Sequence, residues 1–316
     1  MAIADLKAVC KTVYSPRSCR GPTCIAGDGG YLGRPFEAGR PPRCGGIFHS
    51  SELEAPLVTK LDAVRTQGRI IGALLMREMT TRFGREGIGF VWLVGEPILF
   101  CFGVLVMWSF TKPAYEHGVR LAPFVMTGYM ALILIRHLIG LLSAAIPSNI
   151  GLLYHRHVKP IHIFAARILL EVGGATAAFA IVYVVLLFLG QVSPPKDYLL
   201  LYGGWFLVAW LAIGFSLIMT GLVMRFDVFE RVVGLISYIL IPLSGAFFMV
   251  AWLPPAAQKV ALLIPFVHGV EMIRAGVFGE FVETHYDVAY ALGLGAIFNI
   301  LGLLLISASI HRLDVE

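Results

Sequence analysis

Residues able to do chemistry gather in three places along this chain. The densest is the stretch from Gly151 to Arg167, which holds His155, Arg156, His157, Lys159, His162 and Arg167. His155, His157 and His162 are candidate metal ligands, but no neighbouring carboxylate or cysteine completes a coordination shell. The cationic groups instead offer a charged surface, either to solvent or to a docking protein. In the second place His268, Glu271 and Arg274 recur every third residue, with Glu280 beyond. A membrane-embedded transferase would need such acids and bases at one membrane face, yet no metal spacing or nucleophile–base pattern joins them.

The third group consists of charges isolated inside apolar runs. An unpaired charge there costs about 2.5–3.5 kcal/mol on insertion scales, so Glu96 must face protein or water. Pro97 beside it kinks the helix, and the pair either lines a solute path or ends an inner half-helix. Arg136 and His137 interrupt the next run, and a carboxylate across the bundle is the expected partner of Arg136. Glu171 lies one turn after Arg167, which predicts an ion pair on one helical face. The sequence has no G-x-x-x-x-G-K-[ST] motif and no Gly-Lys pair, so it cannot cradle nucleotide phosphates in the P-loop manner.

The elements that position these groups follow from composition: 58% of residues are hydrophobic and only 14% charged, too few to solvate a compact water-soluble fold. Six apolar runs, at 88–111, 121–146, 162–190, 199–224, 232–253 and 288–310, match the roughly 20 residues that cross a bilayer. They lack the alternation of barrel strands, so an all-α polytopic membrane protein is predicted. With the N-terminus inside, inner segments collect twelve lysines and arginines between Lys60 and Arg312, against five in outer loops: Lys112, Arg120, Lys196, Lys259 and Arg274. Both termini are then cytoplasmic. The net charge of +5 reports topology and does not call for nucleic acid.

Residues 1–55 are rich in Gly, Pro and Arg and carry Cys10, Cys19, Cys24 and Cys44 at spacings that fit no zinc pattern, so they read as a disordered basic tail. From 57 to 86 an amphipathic helix is predicted. Leu61, Val64, Gly68, Ile71, Leu75, Met79 and Phe83 form its apolar stripe, facing the lipids of the inner interface or, alternatively, packed against the bundle, and Arg65 and Arg82 snorkel. Residues 88–316 form the six-span domain. Arg225, Asp227, Glu230 and Arg231 occupy the turn between spans four and five. On the outer side, Phe266, Val270, Ile273 and Val277 share one stripe of a short helix that dips back into the membrane, beside the stripe of His268, Glu271 and Arg274. Trp92, Phe100, Trp108 and Tyr129 pack between helices, mark the membrane interfaces or offer flat faces for stacking on a ligand.

Three runs carry a resemblance to a known family: LLMREMTTRFGREGIGFVWLVGEP at 74–97, NIGLLYHRHVKPIHIFAARILLE at 149–171 and IPFVHGVEMIRAGVF at 264–278. Their order and spacing resemble ABC-2 type permeases that export capsular and related cell-surface polysaccharides. The long tail departs from that pattern, as does Ile264-Pro265, where many relatives have Asn-Pro.

The resemblance implies a six-helix transmembrane subunit of the bacterial inner membrane, paired as a homodimer and served by two copies of a separate ABC ATPase. It implies that Asn149, Leu152, Leu153, Tyr154, Arg156, His157, Lys159 and Pro160 form the ATPase-coupling loop, ended by the proline. Glu96, Trp92, Phe100 and Tyr129 become candidates for the translocation path, and His268, Glu271 and Arg274 for an external gate. The substrate is a polysaccharide, free or lipid-linked. No cofactor or metal is expected in this chain, since ATP and Mg belong to the partner. An ABC-2 exporter of lipids or small drugs is the nearer alternative, a glycan or lipid transferase the more distant.

Overall fold

The computed structural model describes residues 57–83, 88–113, 115–116, 118–149, 151, 159–226, 228–279 and 282–313. The tail at 1–55, with its four cysteines, lies outside the described residues. Helix α1 spans Leu57–Phe83 and α2 Ile88–Thr111. A two-residue antiparallel ribbon, β1 (Tyr115–Glu116) with β2 (Val119–Arg120), links α2 to α3 (Leu121–Ser143). A 3-10 turn, Pro147–Asn149, precedes α4 (Pro160–Phe188), which is followed by α5 (Tyr198–Arg225) and α6 (Val228–Leu243). The chain closes with a second 3-10 turn, Val250–Trp252, then α7 (Pro255–Ala261), α8 (Pro265–Phe278) and α9 (Val288–Leu313).

Local chemistry sets several of these boundaries. Pro160 and Pro265 open α4 and α8 at the first turn, where a missing N–H leaves nothing unpaired. Asp197 caps α5 by accepting from the Leu199 and Leu200 amides.

Helices α2, α3, α4, α5 and α9 are each long and apolar enough to cross a membrane. Helices α3 and α5 form the centre of the bundle: α3 packs against α2, α4, α5 and α6, while α5 packs against α8 and α9. Glycines make the second packing close. At Gly214 and Gly221 of α5 an added Cβ would meet α9, and at Gly302 of α9 it would meet α5.

Two expectations change. The fifth apolar run, read as 232–253, is helical only to Leu243. Pro242 withholds a donor and Gly245 takes φ +76, so the chain turns out of the helix before the 3-10 turn. The following helices α7 and α8 bend by 104° at their junction, giving a broken or re-entrant element. All four predicted stripe residues of α8, Phe266, Val270, Ile273 and Val277, are buried.

Helix α1 also departs from a purely lipid-facing stripe. It packs along α4 and α2, with Leu74 against the core and Glu78 buried, while Gly68 and Met76 are exposed. Arg82 does not snorkel: its guanidinium turns into the bundle, as described below.

Candidate functional site

At the loop end of the bundle, two arginines from different helices hold the residues that lead into the predicted coupling loop. Arg77 of α1 donates from Nη1 to Asn149 Oδ1 at 2.6 Å. Arg167 of α4 donates from Nη2 to Ser148 Oγ at 2.7 Å and from Nη1 to the Leu141 carbonyl at 2.5 Å. Asn149 is buried, and its amide also donates to the Ala145 carbonyl. On the far side of the loop, the Lys159 amide donates to His162 Nδ1 and the His162 amide returns a bond to the Lys159 carbonyl. This reciprocal pair fixes where α4 begins. Leu152, Leu153, Tyr154, His155, Arg156 and His157 lie outside the described residues, between two firmly held anchors.

The anchors join a charged quartet in which Glu78, Arg167 and Glu171 are buried and Arg82 is partly exposed. Glu78 Oε1 accepts from Arg82 Nη2 at 2.7 Å and from Arg82 Nε at 3.0 Å. Arg167 sets its Nε 2.7 Å from the same oxygen, an ion-pair contact without hydrogen-bond alignment. Arg82 Nη1 donates to Glu171 Oε1 at 2.7 Å, and His137 Nδ1 stands 3.6 Å from Glu171 Oε2. Two acids and two bases thus balance. The predicted Arg167–Glu171 pair within α4 is replaced by pairing across helices, because α1 brings its own carboxylate and guanidinium to that face.

Beside the quartet lies a cavity of about 290 Å³ lined by Arg82, Leu93, Glu96, Arg136, His137, Gly140, Leu141 and Glu171. Glu96 therefore lines an open pocket between the helices, alongside Arg82, Arg136, His137 and Glu171. Among the described residues Arg136 pairs with no carboxylate; its guanidinium carbon lies 5.6 Å from the centre of the Tyr238 ring on α6, and its Nε is buried without a hydrogen bond. Tyr129 and Arg136 sit seven residues apart on α3, which places them on one side of that helix.

The aromatic path candidates do not form one group. Trp92 and Phe100 are 53% and 55% exposed on the outer face of α2. Tyr129 meets Phe247 edge-on at 6.5 Å, near the opposite end of α3, where Trp108 also contacts Phe247.

At that opposite end, His268, Glu271 and Arg274 staple α8 to the irregular segments around it. Arg274, 0% exposed, donates from Nη1 to the carbonyls of Gly245 and Phe248 and from Nη2 to that of Ala246. Its guanidinium carbon lies 4.4 Å from the centre of the Phe124 ring. Glu271 Oε1 accepts from the Val250 amide and Oε2 from the His285 amide. His268 Nδ1 accepts from the Asp287 amide, which assigns the proton to Nε2 for donation to the Leu262 carbonyl. Both nitrogens and both oxygens are engaged, so neither residue offers a free acid or base to a transferase substrate; Glu280 lies outside the described residues. The carbonyl-lined turn also presses on α3: a Cβ at Gly128 would collide with the Ala246 backbone.

Glu78 and Ser148 were not legible as site residues. The available signal for Glu78 was a lone carboxylate four residues after Leu74 and four before Arg82, on the side of α1 that carries Leu74 and Leu75. Among the described residues no group of three His, Cys, Asp or Glu side chains is arranged to hold a metal.

Comparison with known proteins agrees with this architecture. Residues 69–278 match the family described as ABC-2 type transporter. The chain is 39% identical over 246 residues to the capsule polysaccharide export inner-membrane protein CtrC of Neisseria meningitidis, covering 78% of this chain and 93% of the relative. It is 39% identical over 240 residues to the capsule polysaccharide export inner-membrane protein BexB of Haemophilus influenzae, covering 76% and 91%. Similarity extends to the polysialic acid transport protein KpsM of Escherichia coli, at 25% over 220 residues, 70% of this chain and 85% of the relative. With two thirds of its length matched by the family, and relatives aligned over almost their whole length, this chain belongs to the ABC-2 type transporters.

Proposed function

We propose that this chain is the transmembrane permease subunit of an ATP-driven exporter that moves a capsular or other cell-surface polysaccharide across the inner membrane. The likeness to two capsule polysaccharide export proteins over nearly their full length carries this reading. In it, both termini are cytoplasmic and the loop between Asn149 and Pro160 docks on a separate ATPase subunit, which brings ATP and Mg; this chain needs no cofactor. Leu152, Leu153 and Tyr154 supply the apolar anchor of that dock, and Arg156, His157 and Lys159 its charged rim.

The pocket beside Glu96 and Arg136, about 290 Å³, is too small in one copy to enclose a hydrated glycan. Two permeases facing each other complete the path, with two ATPases beneath. Glu96, Arg136 and Tyr129 face it, while exposed Trp92 and Phe100 meet either the second copy or the sugar. The α7–α8 hairpin, stapled by Arg274, closes the outer end as a rigid gate.

The test is deletion of the gene followed by locating the glycan. Accumulation of polymer inside the cell is expected; a normal surface coat would reject the assignment. Reversing charge at Arg156 and Lys159 should leave the protein inserted while the ATPase no longer co-purifies. Co-purification at wild-type yield with unchanged export would reject the docking role.

A further inference from the structure

The geometry points to a latch at the loop end: Glu78, Arg82, Arg167 and Glu171 bind α1 to α4 in the state seen here, and release it by re-pairing within each helix. The inference rests on the reading of the 149–160 loop as the motor's handle.

Three observations carry it. First, each helix contributes one acid and one base at a spacing of four residues, Glu78 with Arg82 and Arg167 with Glu171. That spacing places the members of each pair on one helical face, within reach of each other. Second, the contacts include two cross-helix bridges: Arg82 to Glu171 at 2.7 Å and Arg167 to Glu78 at 2.7 Å. Glu78 also keeps its bond to Arg82 of the same helix, so one carboxylate oxygen serves arginines of both helices. Third, the same α4 arginine holds Ser148 and the Leu141 carbonyl, and neighbouring Arg77 of α1 holds Asn149. Pulling on the loop therefore loads these contacts.

Removing one partner from a buried ion pair is costly, because the survivor is left charged without a counter-charge. Re-pairing avoids that cost. If Arg167 moves to Glu171 while Arg82 stays with Glu78, no charge is orphaned, and α1 is freed from α4. Discrete arrangements of similar energy are what convert a small displacement into a defined shift of a helix. The cavity beside the quartet, with His137 near Glu171, leaves room for the guanidinium of Arg82 to swing. Glu78 is thus a positioning residue: it transmits the loop's displacement to α1 and touches no substrate.

Swapping charge within α1 alone, by Glu78→Arg with Arg82→Glu, keeps the pairing inside that helix but sets like charges against Arg167 and Glu171. The latch then cannot close. Membrane levels and ATPase co-purification should stay at wild-type values while export falls by about tenfold. Unchanged export would overturn the latch.

Should the swapped chain be lost from the membrane, a second measurement decides. A spin label on Met76→Cys, exposed on α1, with native cysteines replaced, is followed in the complex with its ATPase. A change in label mobility on adding ATP is expected. A static label during ATP hydrolysis would overturn the latch alone, whereas failure of the ATPase to co-purify with the unaltered chain would reject the docking reading and the latch with it.

Discussion

Two charged knots built from the same residue types sit at opposite ends of this bundle, and they differ in what their arginines hold. At the loop end, Arg82 and Arg167 meet carboxylates on separate helices, beside a cavity and partly open to solvent. At the other end, Arg274 spends its terminal nitrogens mainly on the backbone carbonyls of one short turn. Its carboxylate neighbour Glu271 stands farther off, at 3.4 Å. Side-chain partners on different helices can exchange as the helices slide. Carbonyls of a single turn can be released only by undoing that turn. The first knot suits transmission of movement, the second the holding of a shape.

The largest effect should come from breaking the rigid knot. Arg274→Leu leaves Glu271 charged and buried, so a loss of about 3–5 kcal/mol is expected. It should appear as loss of protein from the membrane or a lowered melting temperature in detergent. Arg274→Lys should recover little, since a single, shorter-reaching nitrogen cannot replace the two guanidinium nitrogens that Arg274 sets against these carbonyls. Recovery by lysine would mean that charge alone matters there.

A smaller loss, about 1–3 kcal/mol, is expected for Gly128→Ala, which forces α3 away from the Ala246 backbone that Arg274 holds. Thermal unfolding of the purified variant measures it, and full stability would mean that the turn is not pinned. In the exchangeable knot, a double-mutant cycle on Arg82→Gln and Glu171→Gln should return a coupling on the order of 1 kcal/mol. Additive effects would remove the cross-helix bridge from the account. The smallest change belongs to Tyr238→Leu, which removes the ring facing Arg136 and should lower stability by about 0.5–1 kcal/mol.

The sequence revealed the spans well because long apolar runs report directly on the thickness of hydrocarbon they must cross. It placed α8 equally well: Phe266, Val270, Ile273 and Val277 recur at helical intervals and are all buried. It overran in the fifth run, because hydropathy does not register that Pro242 and Gly245 end a helix among residues that stay apolar.

Of the loop anchors only Pro160 was readable from local chemistry, as a residue that must end a preceding helix, and it opens α4; Asn149 and Lys159 came with the resemblance, without their hydrogen-bond partners. Partner choice was not legible. Arg167 and Glu171 look like a pair along their own helix, and only the approach of α1, a contact far apart in sequence, diverts both to Glu78 and Arg82. Likewise, the carbonyl partners of Arg274 come from a turn that no side-chain pattern announces.

Hydrogen–deuterium exchange on the permease bound to its ATPase, with and without ATP, tests the division of labour most directly. Exchange should change across residues 77–82 and 160–171 during turnover, while residues 265–278 stay protected as before. The same change at both ends, or a change confined to 265–278, would contradict the account.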